Sequence, residues 1–194
     1  MTLRVKRLLA LASLAVLVST GTAHAATLTF DDLSGGGTLA DGYGGINWGG
    51  SWSYYDTLQD PYNANSPAER IYSPETGSGE YSFEFVTPDQ TFLGAYFAGW
   101  SFATVSFNLY NDGSLVWTSS TLFPSSVPTF LDSGYSGAVD RVGVSSQANA
   151  FYVMDDVTYN TTLDPIPDPI PEPTSMLLLG TGLVGAALSR RRRR

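Results

Sequence analysis

The chain has no cysteine, and its one histidine and one lysine, His24 and Lys6, both lie in the first 25 residues. Without cysteine there is neither a disulfide framework nor a thiolate metal site. Beyond residue 25 the chain therefore excludes serine–histidine triads, cysteine nucleophiles, Schiff-base chemistry and imidazole-ligated zinc. Carboxylate chemistry and binding remain. Positive charge is scarce as well. Between Ala26 and Pro171 only Arg70 and Arg141 are basic, against 17 acids, so that stretch carries −15 where the whole 194-residue chain carries −8. Such a surface repels nucleic acid and anionic membrane and favours cations or neutral ligands. The same stretch shows no 3.6-residue apolar repeat, which argues against helices.

The two ends are built differently from the middle. Arg4, Lys6 and Arg7 precede an apolar run at 8–18, and Ala23-His24-Ala25 is a small-x-small site, the pattern of a Sec signal peptide over 1–25. An apolar run of about 11 residues is too short for a span of about 20. Signal peptidase is expected to cut after Ala25. At the other end, Pro165, Pro167, Pro169, Pro171 and Pro173 alternate with other residues. Proline at this density favours a stiff polyproline II path, so 163–170 reads as a spacer. Then come Pro171-Glu172-Pro173, a short hydrophobic helix at 174–189, and Arg190, Arg191, Arg192, Arg193 and Arg194. Gly180, Gly182 and Gly185 formally spell a dinucleotide-binding motif, but no strand precedes them and no βαβ unit surrounds them.

This C-terminal order resembles the PEP-CTERM sorting signal of Gram-negative bacteria, over 171–194. The resemblance implies recognition of Pro171, Glu172 and Pro173 by an exosortase, a membrane transpeptidase-like protease. It also implies retention of the five arginines on the cytoplasmic side, as the positive-inside rule requires. The chain would then be exported by Sec, held transiently in the inner membrane through its C-terminal helix, and delivered to the cell surface or extracellular matrix. Exosortase systems accompany exopolysaccharide production, which makes exopolysaccharide an implied partner.

Residues 26–162 read as one all-β domain. Strands are expected at 27–30, 46–55, 80–86, 91–100, 104–110, 115–119, 129–132, 141–144 and 150–159. They are separated by turn formers such as Asn111-Asp112-Gly113 and Ser133-Gly134. Short strands at this spacing imply a β-sandwich of jelly-roll type. Residues 32–45 read as a glycine-rich loop and 56–79 as a long surface loop.

Two groups of residues suggest binding. Phe30-Asp31-Asp32-Leu33-Ser34 and Met154-Asp155-Asp156-Val157-Thr158 share one pattern, at the tips of the first and last strands. If those strands are neighbours, Asp31, Asp32, Asp155 and Asp156 converge, and a Ca²⁺ ion would relieve their repulsion. The alternative is that one Asp of each pair caps a turn and the other is solvated. Tyr43, Asn47, Trp48, Trp52 and Tyr54, with Tyr55 beside them, mix rings with polar groups as a sugar-binding face does; the alternative places those rings in the core. Trp100 and Trp117 are expected in the core. For a carboxylate-based glycosidase the candidates are Glu69, Glu75, Glu80 and Glu84, which no local sequence pairs. No catalytic residue is assigned.

Thr29-Phe30-Asp31-Asp32, the stretch from Gly42 through Trp48, Gly94-Ala95-Tyr96-Phe97 and the stretch from Phe151 through Val157 resemble exported PEP-CTERM β-sandwich proteins. Those are similar in fold to galactose-binding-like and carbohydrate-binding jelly rolls. The expectation is a non-enzymatic envelope or matrix protein that binds glycan. The alternatives are an adhesive or structural surface protein without a discrete ligand, and a small glycosidase.

Overall fold

A computed structural model describes residues 24–161, which form two antiparallel β-sheets packed face to face. The signal-peptide residues through Ala23, the spacer and the sorting signal with Pro171, Glu172, Pro173 and Arg190 to Arg194 lie outside the described residues. Twelve strands follow in chain order: β1 (His24–Leu28), β2 (Gly36–Thr38), β3 (Ile46–Asn47), β4 (Ser53–Tyr55), β5 (Arg70–Tyr72), β6 (Gly77–Phe85), β7 (Thr91–Gly99), β8 (Val105–Asn111), β9 (Ser114–Thr118), β10 (Thr129–Asp132), β11 (Arg141–Asn149) and β12 (Tyr152–Thr161). The larger sheet runs β10-β7-β12-β5-β4-β2, with β1 also on β12; the smaller runs β3-β6-β11-β8-β9.

Period-two alternation builds the core. On β8, Val105, Phe107 and Leu109 are buried, and on β6 Phe83 and Phe85 point inward while Glu84 is exposed. They meet Phe92, Phe97, Tyr152 and Met154 from the opposite sheet. The rings pack mostly edge-on, as with Phe92 and Phe107 at 4.8 Å and 86°, the geometry their quadrupoles prefer.

The first and last strands are neighbours, the condition left open in the sequence. β1 pairs with the second half of β12, from His24 opposite Thr161 to Leu28 opposite Val157. The expected cleavage bond after Ala25 lies inside this ladder, so Ala26, Thr27 and Leu28 would keep their partners after cutting. On the same side of β12, β5 takes over at Met154 opposite Ile71. Where β1 gives way to β5, β12 carries a register irregularity after Asp155, and Asp156 has φ +48°. One strand thus serves two partners by bulging between them.

Three expectations change. Ile46 to Tyr55 is two short strands in different sheets, not one. The expected glycine-rich loop contains β2. The expected surface loop at 56–79 contains β5, an internal strand whose Arg70 and Ile71 are buried.

Candidate functional site

On β4 and β5 the residues alternate between faces. Ile71 is in the core with Tyr54 packed against it, so Tyr55, Arg70 and Tyr72 take the outer face of the larger sheet. Tyr55 and Tyr72 meet edge to face at 5.3 Å. The Arg70 guanidinium lies 4.0 Å from the Tyr55 ring centroid and donates to the carbonyls of Ala68 and Thr57. Val153, on β12, is on the outer face as well, since Tyr152 and Met154 belong to the core.

The loop 56–69 is fastened over this face. Asp155 Oδ2 accepts hydrogen bonds from the Asn65 and Ser66 backbone N–H groups at 2.7 and 3.0 Å, and Oδ1 accepts from Asp156 N–H at 2.7 Å. Asn65 Nδ2 donates to Asp156 Oδ2 at 2.6 Å, and Asn63 Nδ2 donates to the Ser126 carbonyl at 2.7 Å. Between loop and sheet lies an open cavity of about 280 Å³, lined by Tyr55, Gln59, Tyr62, Tyr72, Ala150, Tyr152 and Val153. That volume is near the lower end of the roughly 300–1,000 Å³ of small-molecule sites. It suits a single ring.

Chemically the lining is neutral. Burial raises the pKa of Tyr55, Tyr62 and Tyr152 above the ordinary phenol value, so all three keep their protons. The Tyr152 hydroxyl is buried and has no hydrogen-bond partner. The aromatic surface continues past the cavity. The Trp100 side chain neighbours the Tyr62 hydroxyl and offsets part of the upward pKa shift that burial gives it. The Trp100 ring stacks on Phe102 at 6.1 Å and 22°, and Phe102 meets Phe151 at 5.2 Å. Trp100 is 48% exposed and Phe102 53%. Gly99, at φ +149°, leaves room for Trp100 N–H to donate to the Phe151 carbonyl at 3.0 Å.

The candidates read from sequence are dispersed. Trp48 and Trp52 are fully buried, each with its indole N–H satisfied, by the Tyr43 carbonyl and the Ser82 carbonyl. A ring with no exposed face cannot stack on a sugar, so both belong to the core. Tyr43 is half-buried and donates to Asp32 Oδ1 at 2.5 Å, and Tyr54 packs against the core. Asn47 is exposed and lines a separate polar hollow of about 370 Å³ with Asp41, Gly49, Ser82 and Glu84. Trp100 and Trp117, expected in the core, are instead half-exposed; Trp117 is 43% exposed on the edge strand β9 and stacks on Tyr135.

Of the four aspartates, Asp155 and Asp156 are buried and engaged by the loop, while Asp31 and Asp32 are exposed. Among the described residues no three His, Cys, Asp or Glu side chains are grouped to hold a metal ion. The glutamates are equally separate. Glu80 binds Arg141, Asn108 and Tyr110; Glu75 accepts from Tyr81; Glu84 lines the polar hollow; Glu69 is buried elsewhere.

The comparisons with known proteins bear on the two ends and the middle separately. Residues 169–194 match the PEP-CTERM protein-sorting motif. The chain carries an exosortase signal. The PEP-CTERM tail makes an exosortase the processing partner and implies export with membrane-anchored processing before surface release. No helix among the described residues is long and apolar enough to cross a membrane; the apolar run at 174–189 lies outside them. No curated protein matches the chain. Among solved structures it is similar to a mutant of a family 29 carbohydrate-binding module, at 16% identity and a TM-score of 0.36, over 59% of this chain and 99% of that one.

Gln59, Tyr62 and Tyr72 were not singled out from sequence. They fall in a stretch without periodicity, and only the folding of the loop onto β5 brings them together. Three tyrosines within 55–72 were the one available signal.

Proposed function

We propose that the protein is a non-enzymatic, exosortase-sorted surface protein whose domain binds a neutral glycan in the tyrosine-walled cavity on the outer face of the larger sheet. The observation that carries this reading is the lining itself. Tyr55, Tyr62 and Tyr72 offer aromatic faces for sugar C–H groups, and Gln59 with the phenols offers neutral donors and acceptors. No carboxylate lines the cavity, so it holds no acid–nucleophile pair of the kind glycoside hydrolysis uses. The −15 of residues 26–171 disfavours acidic polysaccharides through repulsion. The half-exposed Trp100 and Phe102 extend the surface, so a sugar chain rather than a free monosaccharide is the fitting ligand.

In this reading, signal peptidase and the exosortase process the two ends, and the domain meets the cell's own exopolysaccharide at the surface or in the matrix. The test is affinity electrophoresis of the purified exported protein through gels containing neutral exopolysaccharide. Retardation that Tyr72→Ala and Tyr62→Ala both abolish supports the reading. Equal mobility with and without polysaccharide favours the alternative, a structural or adhesive surface protein with no discrete ligand.

A further inference from the structure

From Gly113 to Leu131 the chain carries no charged residue, within a region of −15, and Asp112 and Asp132 bound the stretch. It comprises β9, the connection 119–128 and β10 through Leu131. β9 stands at the end of the smaller sheet and β10 at the end of the larger one. Trp117 braces these two open edges against each other. Its indole N–H donates to the Ser133 carbonyl at 2.9 Å, and its ring stacks on Tyr135 at 5.9 Å and 20°. Among the described residues ten large apolar side chains are exposed, and six belong to this one side: Leu115, Val116, Trp117, Phe123, Val127 and Phe130. Such a concentration marks an interaction surface. Open edges also present unpaired backbone N–H and C=O groups, which proteins usually blunt with charge, proline or a bulge. Here the blunting is slight: β9 has one slip of register, passing over Val116, and β10 ends on Asp132.

We propose that this side is the interface with a second copy of the same chain, in a two-fold dimer that sets β9 of each copy against β10 of the other. Strand direction selects the partner. β10 is antiparallel to β7 and β9 is antiparallel to β8, while the short connection 100–104 turns β7 back into β8 across the two sheets. β9 and β10 therefore run in opposite directions. A two-fold axis along the strands preserves each strand's direction and exchanges the two layers. β9 then meets the partner's β10 antiparallel, and this happens twice, so each smaller sheet continues into the partner's larger sheet. The side is its own complement, as an isologous contact requires. The same axis points both Thr161 ends one way, as suits two copies held in one membrane by their PEP-CTERM tails.

Charge agrees with this choice, because two copies of so acidic a domain repel each other except where neither carries charge. A lipid surface fits worse, since it would leave the edge N–H and C=O groups unsatisfied. The tyrosine cavity lies over β4, β5 and β12, with β7 between it and the β10 edge. The dimer thus leaves both cavities open, and the proposal does not rest on their taking a glycan.

The test is sedimentation velocity of the purified exported protein across a concentration series at low and high salt. The expected result is a dimer that salt strengthens, because screening relieves the repulsion between copies. Val116→Lys and Leu115→Lys change exposed side chains, so each should weaken the dimer at least tenfold while circular dichroism and melting temperature stay those of wild type. Pairing of β9 with the partner's β10 has its own readout. Val116→Lys combined with Phe130→Glu should recover the dimer, whereas Val116→Lys combined with Phe130→Lys should not. A wild type that remains monomeric at every concentration and salt overturns the proposal. So do lysine variants that dimerise as wild type does, and a Phe130→Glu change that recovers nothing. None of these results touches the glycan reading, which Tyr72 and Tyr62 test.

Discussion

Replacing Asp155 by alanine should loosen the loop 56–69 from the sheet and destabilise the domain together. Asp155 is 2% exposed, and its oxygens accept from three backbone N–H groups, those of Asn65, Ser66 and Asp156. A buried donor left unpaired costs about 1–3 kcal/mol. The Asp156 N–H has no route to water, so its cost is met in full. The Asn65 and Ser66 donors can recover water only if the loop lifts, which surrenders the Asn65–Asp156 and Asn63–Ser126 bonds. The expected loss is about 3 kcal/mol, read as a lower denaturation midpoint with an unchanged slope. Hydrogen exchange should show faster exchange at Asn65 and Ser66 while β7 and β8 stay protected at the level the lowered global stability allows. Unchanged stability and unchanged loop protection would refute the reasoning.

The same residue sets a pH dependence. Burial, reinforced by the Asp156 charge and opposed by the N–H donors, pushes the Asp155 carboxyl up from 3.8 to about 7. Between those values the folded chain holds a proton that the unfolded chain releases. This group's contribution is therefore greatest below pH 4 and is lost as pH rises through 7, by at most about 1.4 kcal/mol per pH unit. Asp155→Asn should flatten that slope, and an identical pH profile would contradict the assignment.

Trp48→Ala should cost about 3–5 kcal/mol, because it empties a fully buried site and leaves the Tyr43 carbonyl without its indole donor; urea unfolding reads this directly. Gly94→Ala should cost more than about 1 kcal/mol, since φ is +146° and a Cβ there would overlap the Leu131 carbonyl on β10; a melting temperature equal to wild type would contradict it. Arg70→Lys keeps the charge but cannot span the Ala68 and Thr57 carbonyls while covering the Tyr55 ring. Loss of about 2 kcal/mol and weaker glycan binding are expected, checked by denaturation and affinity electrophoresis in parallel.

Strand alternation made most of the sandwich legible. Thr129–Asp132 was expected with the bounds it has, and the condition that β1 pair with β12, left open in the sequence, is met. β5 was missed because three residues between Pro67 and Pro74 show no period; it is a strand only because β4 and β12 flank it. The tryptophans misled for a related reason. Trp48 and Trp52 sit among glycines and tyrosines, where local sequence does not tell an inward ring from an outward one. Trp100 follows the last residue of an apolar strand, yet it points out at the loop that ends β7. The cavity was invisible for a different reason. Its lining comes from β4, β5, β12 and a loop, and nothing in the local sequence of Asp155 and Asp156 points to Asn65 and Ser66, the distant residues they hold.

The central claim is that the tyrosine-walled cavity binds a neutral glycan, and titration calorimetry tests it most directly. Purified exported protein would be titrated with oligosaccharides released from neutral exopolysaccharide, alongside Tyr72→Ala. Saturable binding to wild type, weakened at least tenfold by the Tyr72 change without loss of fold, is the predicted result. No heat with any neutral glycan, or undiminished affinity in Tyr72→Ala, would contradict it.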